Sequence, residues 1–401
     1  MSPNNTDKKV VLITSNQYKP NIGGIENSLF HLAQEYKELG YKPILVVSDL
    51  NPEQQALPAE SNENGVAIFR YAAFQGEGMV GFIRHVQSAY KLYRKVNKQY
   101  DIKFTVCRYH FNLVLLKIAG LRNVNYLVPG VVKNESKASP IENPRFLSQV
   151  KSHLSFNFHK LLQWIAFATA DKVSVFSQNM FEQVRDVHLP KNGIFICKPG
   201  VSLSRFEQIS FEEKIKLRGK LGLAANKKAF LCIGRFVKAK GFETAINAFS
   251  KVEDDNSELW LLGEGPLGEK LKERVLELNL SNRVRFLGKQ SCPELYYKAA
   301  DFFVMSSTYE PLGQTILEAL ACGLPIIAAS ASSEVVTASS EILEETRNLF
   351  VAKHDADEFA RAFERCLTMS EEDYAIISAE NRVLAESKFS WVKLAQDLEL
   401  T

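Results

Sequence analysis

The six cysteines of this 401-residue chain, at 107, 197, 232, 292, 322 and 366, include no C-x-x-C pair. Such scatter excludes a zinc ribbon or a disulfide framework and fits a reducing cytosol. No run approaches the ~18 apolar residues of a membrane-spanning helix. The first apolar run, Val10–Ile13 after a polar Met1–Lys9, is too short for a signal peptide. The expected location is the cytoplasm, free or attached to the cytoplasmic face of a membrane. Solenoid-period repeats and low-complexity tracts are also missing, which excludes repeat arrays and long disordered linkers.

Hydrophobic residues make up 46% and charged residues 24%, as in soluble globular proteins. The length suits two domains of roughly 200 residues. A net charge of +3 conceals an asymmetry: residues 1–200 hold 24 Lys+Arg against 15 Asp+Glu, and the remainder 25 against 31. Within 81–172 there are 15 basic and 4 acidic residues, which implies an anionic partner for the first half.

Val10–Thr14 reads as a buried strand, the pattern 25–39 as a helix closed by Gly40, and Ile44–Val47 as the next strand. This alternation predicts a parallel sheet covered by helices. It continues through Ala67–Arg70, helix 82–98, Phe104–Cys107, helix 112–120, Tyr126–Val128, helix 145–168, Lys172–Phe176 and Ile194–Cys197. After the turn Lys198-Pro199-Gly200, residues 201–228 are polar and read as the interdomain linker. A second series follows: Ala229–Ile233, Glu258–Leu262, Val284–Phe286, Phe302–Met305 and Pro325–Ala328. The predicted fold class is α/β, with two doubly wound Rossmann-like domains.

Gly263-Glu264-Gly265-Pro266-Leu267-Gly268 matches the dinucleotide fingerprint. The next strand, however, lacks the closing carboxylate that would hold a ribose, and the motif sits on the second strand of its half. A glycine turn opening a helix explains it better, with Gly263 offering a backbone contact to a ligand.

Doubly wound sheets bind ligands beyond the carboxyl ends of their strands. Arg235 and Lys240 lie in the loop after Ala229–Ile233, Glu310 in the loop after Phe302–Met305, and Glu318 on the following helix. If that helix runs from about 312 to 322, the two glutamates lie near one face, ~12 Å apart. They could grip hydroxyls at the two ends of a folded nucleotide sugar. Amides near Gly313, from Leu312 through Gln314 and Thr315, would form a helix N-terminus for phosphate. Arg235 and Lys240 would stabilise the charge growing on a departing diphosphate, so no metal or other cofactor is expected. Asp355-Ala356-Asp357 has the spacing of a metal-binding pair but opens a helix, where acidic residues are ordinary caps. Singly, an arginine after a strand is usually a surface residue and two helical glutamates a solvated face; their joint placement makes the pattern informative.

These residues resemble glycosyltransferase family 4, retaining transferases of GT-B fold. The stretches that carry the resemblance are Gly23-Gly24-Ile25-Glu26, Lys198-Pro199-Gly200-Val201 through Arg205-Phe206, Gly234-Arg235 to Lys240-Gly241, Gly263-Glu264-Gly265-Pro266, and Asn282 to Gly288. The strongest is Glu310-Pro311-Leu312-Gly313-Gln314-Thr315-Ile316-Leu317-Glu318-Ala319, completed by Cys322-Gly323-Leu324-Pro325. The resemblance implies an acceptor-binding domain over 1–198 facing, across a cleft, a nucleotide-sugar domain over 199–385. A terminal segment, 386–401, would cross back to the first domain. It implies Glu310 at the donor-sugar hydroxyls, Glu318 at the ribose, Arg235 and Lys240 at the diphosphate, and Gly23 and Gly24 approaching the phosphates. It also implies retention without a protein nucleophile. Two departures stand out. Pro129-Gly130 replaces the usual histidine loop, leaving His110 as a substitute, although a histidine capping a strand is more often structural. Pro311-Leu312 replaces a commoner Gly-Phe.

The expected partners are a nucleotide-diphosphate sugar and a glycan or lipid-linked acceptor of cell-envelope type, with no nucleic acid. Helix 82–98 interleaves Phe82, Ile83, Val86, Ala89, Tyr90 and Tyr93 with Arg84, Lys91, Arg94, Lys95 and Lys98. The stretch Phe146, Leu147, Val150, Leu154, Phe158 and Leu161 lies near Lys151 and Lys160. Both suit core-facing helices with solvated basic faces, or reversible docking to an anionic membrane. A nucleotide-sugar epimerase of the same fold and a binding-only protein are the alternative functions.

Overall fold

The computed structural model describes residues 9–21, 23–51, 57–74, 76, 78–133, 146–310 and 313–399, side chains of 146–153 excepted. They fall into two compact units. One lies within Met1–Asn134, Ile141–Lys198 and Trp391–Thr401, the other within Pro199–Ser390.

The first unit is built on eight strands: β1 (Val10–Thr14), β2 (Lys42–Ser48), β3 (Glu60–Glu63), β4 (Val66–Tyr71), β5 (Ile102–Cys107), β6 (Val124–Leu127), β7 (Lys172–Val175) and β8 (Ile194–Ile196). Their order is β3-β4-β2-β1-β5-β6-β7-β8, parallel except for β3, which pairs antiparallel with β4. The chain builds outward from β1 in one direction and from β5 in the other, so the order reverses between β1 and β5. Every residue of β1 is buried, as a strand covered on both faces requires. The short edge strand β3, with alternating exposure and two glutamates, gives no hydrophobic signal and escaped the sequence reading. The C-terminal helix Trp391–Leu398 belongs to this unit. Trp391 stacks on His31 with centroids 4.9 Å apart, Tyr36 Oη donates to Ala395 O at 2.9 Å, and Asn125 Nδ2 donates to Leu398 O at 3.0 Å.

In the second unit β9 (Lys228–Ile233), β10 (Ser257–Leu262), β11 (Val284–Gly288), β12 (Phe302–Met305), β14 (Ile326–Ala329) and β16 (Leu349–Val351) form a parallel sheet. Its order is β11-β10-β9-β12-β14-β16. A separate pair, β13 (Tyr309–Glu310) and β15 (Val336–Thr337), lies after β12 and β14 in the chain. Alternate residues supply two cores. Ala229, Leu231, Trp260, Leu262, Phe303 and Met305 enter one, while Phe230, Cys232, Leu259, Leu261, Phe302 and Val304 enter the other.

Residues 201–228 are not a linker. They carry the helix Phe211–Lys220, opened by a capping box between Ser210 and Glu213. Its Arg218 is buried and reaches Asp301 at 2.7 Å, where Lys214 arrives at 3.2 Å and the amide of Ala229 at 2.8 Å. A polar composition concealed a helix held by ion pairs at the amino end of the sheet.

Candidate functional site

The order of the second sheet reverses between β9 and β12, and both loops leaving these strands carry predicted residues. Arg235 follows β9 by two residues, is exposed, and has no ion-pair partner among the described residues. The chain then turns through a short 3-10 helix, Lys238–Lys240, into Gly241 at φ 64°. A side chain at Gly241 would collide with Ser306 O, its Cβ only 1.9 Å away, so the loop after β9 lies directly against that after β12. Ser306 Oγ donates to Lys240 O at 2.9 Å and the amide of Thr308 to Ala239 O at 2.9 Å. His354, a residue without a sequence signal, closes the same spot with its Nε2 at 2.5 Å from Ser306 O.

This packing brings Lys240 and Glu310 into an ion pair, both side chains mostly shielded. Glu310 stands on β13, its carbonyl accepting from the amide of Ala338 at 3.0 Å. The helix that follows spans Gln314–Ala321 and begins at Gly313, φ 69°. The expectation that both glutamates share one helix face is therefore corrected. Glu310 is fixed by a strand pair, because the turn at Gly313 intervenes. Leu312, with Pro311, lies outside the described residues.

Glu318 projects from that helix and accepts from Tyr297 Oη at 2.8 Å. Stacking on Phe303 and an edge contact with Phe206 lock the Tyr297 ring. Burial pushes the Glu318 carboxyl up to about 7, against the opposing influence of the Tyr297 hydrogen bond and Arg205. Gln314 Nε2 donates to Gly200 O at 3.2 Å, while Thr315 Oγ1 is buried without a partner among the described residues. Polar atoms left so in an enclosed place suit a ligand that supplies hydrogen bonds.

Gly263 owes its identity to loop packing. A Cβ there would sit 1.9 Å from Gly234 O, and one at Gly265 would lie 2.6 Å from Phe236 N. The fingerprint-like string thus lets the loops after β9 and β10 touch, the amide of Phe236 bonding Glu264 O at 2.9 Å. Asp355 accepts from the amide of Glu358 as a helix cap, and Asp357 pairs with Lys251.

In the first unit Gly23 and Gly24 open the helix Gly24–Glu38, whose buried Glu26 lies over the N-terminus. Arg108, one residue beyond β5, is wholly buried and donates to Ser28 Oγ; burial lowers its guanidinium to about 10. Sequence reasoning passed over it, although it follows its strand as Arg235 follows β9. His110 does not cap that strand but starts the helix His110–Ile118. Its Nε2 lies 2.9 Å from His159 Nδ1, and burial, aided by His159, lowers it to about 3, so it is neutral at ordinary pH.

Residues 213–383 match the family Glycosyl transferases group 1. The matched stretch lies wholly within the second unit. Curated relatives of the chain include a lipopolysaccharide core biosynthesis glycosyltransferase of Rhizobium meliloti, 40% identical over 149 residues, 37% of this chain and 42% of the relative. An alpha-monoglucosyldiacylglycerol synthase of Streptococcus pneumoniae is 40% identical over 139 residues, 33% of this chain and 32% of that one. Both matches span less than half the relative's length. The crystal structure of the Anabaena protein HepE, in complex with UDP and glucose, superposes with a TM-score of 0.75 at 20% identity, covering 97% of this chain and 98% of that one. The chain has the GT-B fold. The matched stretch carries Arg235, Lys240, Glu310 and Glu318, while His110 and the glycine pair belong to the other unit.

Proposed function

We propose that this chain is a metal-independent, retaining glycosyltransferase of family 4 that moves a sugar from a nucleotide-diphosphate donor to a glycan or lipid-linked acceptor. The observation that carries the reading is the Lys240–Glu310 pair beside Tyr297–Glu318, where the order of the second sheet reverses. Glu318, once ionised, accepts from ribose hydroxyls, and Glu310 accepts from the donor sugar. Lys240 and the exposed Arg235 stabilise the diphosphate charge as the bond between the anomeric carbon and phosphate oxygen breaks. A fixed cation at that position performs the task a divalent metal performs elsewhere. The relatives' work on lipopolysaccharide and on a glycolipid supports an envelope-type acceptor.

A panel of uridine, guanosine and adenosine diphosphate sugars, followed by thermal unfolding, tests the donor, because a bound ligand raises stability by mass action. One donor should stabilise the chain selectively, and its turnover with acceptor should persist in excess EDTA with the anomeric configuration kept. Loss of turnover in EDTA with rescue by magnesium or manganese overturns metal independence. Isomerised nucleotide sugar or free nucleotide without an acceptor favours an epimerase.

A further inference from the structure

The first sheet also has a reversal point, between β1 and β5, and a cavity of about 270 Å³ opens at its carboxyl edge. Asn16 reaches it from the loop after β1, Leu50 from that after β2, Ala73 from that after β4 and Tyr109 from that after β5. Reversal points of doubly wound sheets are where ligands bind. None of the residues lining this cavity is Asp, Glu, Lys or Arg.

Five aromatic rings line it: Phe74, Phe82, Tyr109, Phe111 and Phe158. Edge contacts at 6.0 Å join Phe82 to Phe74, Phe111 and Phe158, so the rings form one connected surface. Among them stand four polar side chains, those of Asn16, His85, Ser155 and His159. Ring nitrogen Nδ1 of His85 lies 2.8 Å from Ala72 O and donates to it, which leaves Nε2 facing a ligand as its other hydrogen-bonding atom. Nδ1 of His159 shares a single proton with Nε2 of His110, which leaves Nε2 of His159 as its other hydrogen-bonding atom.

We propose that this cavity binds one uncharged sugar ring of the acceptor, stacked on the aromatic wall and hydrogen-bonded through His85 and His159. The inference rests on the transferase reading and gives its acceptor a chemical class. An alkyl chain would offer nothing to Asn16, to Ser155 or to the second ring nitrogens of His85 and His159, and a phosphate or carboxylate would be desolvated with no Lys or Arg to meet it. A sugar ring satisfies both demands, its C–H faces lying on the rings and its hydroxyls donating and accepting in turn. The volume admits a single ring, so the remainder of a longer acceptor extends outside. His110, behind His159, is a positioning residue: its hydrogen bond holds the orientation of the His159 ring.

Saturation-transfer NMR on the full chain tests this, with methyl glycosides of glucose, galactose, mannose and N-acetylglucosamine, glucose 6-phosphate and decanol as contrasting probes, and UDP in parallel. At least one methyl glycoside should receive saturation while glucose 6-phosphate and decanol do not. Phe158→Ala and His159→Ala should weaken its binding on the order of tenfold, with UDP binding unchanged. Phe74→Ala, at a side chain 44% exposed, serves as the second wall variant should Phe158→Ala not fold. UDP binding without transfer to any methyl glycoside overturns the inference and leaves the donor reading standing; failure of UDP to bind removes uridine from the donor panel and leaves the inference standing. Equal saturation of glucose 6-phosphate or decanol, or variants that bind as wild type does, also overturns it.

Discussion

The two sheets follow one plan and differ in what stands beyond their strands. At the carboxyl edge of the second sheet the chain gathers charge: exposed Arg235, paired Lys240 and Glu310, and Glu318 held by Tyr297. At the carboxyl edge of the first it gathers rings and imidazoles, and buries Arg108. A departing diphosphate needs fixed charge, whereas an incoming hydroxyl on a sugar ring needs shape and a neutral hydrogen-bond partner. The fold is shared; the loops divide the work.

The sharpest way to break this comparison is to show that charge at an amino edge matters to function, or at a carboxyl edge only to stability. Asp301 stands at the amino end of β12, among Arg218, Lys214 and the amide of Ala229. Asp301→Ala should cost about 3–5 kcal/mol of stability, because it leaves buried cations uncompensated. Burial alone would raise the Asp301 carboxyl, but Lys214 and Arg218 outweigh it and hold it below the usual value. A depressed acid stabilises the fold above its unfolded pKa, and that contribution is lost as pH falls through the folded value. Wild-type stability should therefore decline on acidification below about pH 4, and Asp301→Asn should flatten that decline. Unfolding curves measured against pH check both statements.

At the carboxyl edge the effect should appear in rate. Lys240→Ala should lower kcat by on the order of a hundredfold, equivalent to roughly 2–4 kcal/mol of transition-state stabilisation. Glu310→Gln should lower kcat more than it weakens nucleotide binding. Steady-state kinetics with the donor found by thermal shift decide the matter, and a Tm loss without a kinetic loss would make the pair structural.

The Glu318 carboxyl is shifted in the opposite direction from that of Asp301. Burial raises its carboxyl to about 7, so the protonated form persists well above the ordinary range. Ribose hydroxyls are best accepted by the ionised form, hence nucleotide affinity should rise with pH through about 7 and level off above it. Glu318→Gln should remove this dependence and cost about 1.5–3 kcal/mol of binding at high pH. Calorimetric titration with UDP between pH 5.5 and 8.5 measures both; an unchanged slope in the variant would remove Glu318 from the nucleotide site.

Much of this was legible beforehand because buried parallel strands are short apolar runs. β1 and β12 have the bounds the apolar pattern predicts, and β9 extends one residue beyond them. What escaped lacks that signal. The helix Phe211–Lys220 is polar in composition, β3 is an exposed edge, and the helix before β8, Gln178–Arg185, has only eight residues. Among the candidate site residues, Lys240, Glu310 and Glu318 stand out in the sequence by their places after strands. Tyr297, His354, Arg108 and His159 do not. Each acts through a contact between residues distant in the chain, such as the 21 positions separating Tyr297 from Glu318.

The smallest expected effect, about 1 kcal/mol per cation, concerns where the first unit sits. Among the described residues no helix is long and apolar enough to cross a membrane. The helix Gly78–Gln99 nevertheless exposes Met79 at 72% and Val80 at 70%, and the helix Phe146–Thr169 exposes Leu154 at 66%. Phe82 and Phe158 join the two helices by an edge contact, so this apolar surface continues to the rim of the aromatic cavity. Contiguous exposed apolar surface marks an interaction site, and basic side chains flank it at Arg84 and Lys160. Lys95, at the far end of its helix, is already paired with Glu60 and contributes less. Docking on an anionic membrane would set the cavity at the surface where a lipid-linked sugar is presented. Co-sedimentation with neutral and anionic vesicles tests this at low and high salt, because screening shortens the reach of charge to ~3 Å at 1 M. Arg84→Glu with Lys160→Glu should weaken recovery on anionic vesicles, and Val80→Ser with Leu154→Ser should weaken it at any salt. Equal recovery from both vesicle types, or indifference to both variants, would make the two units differ in their ligands but not in their surroundings.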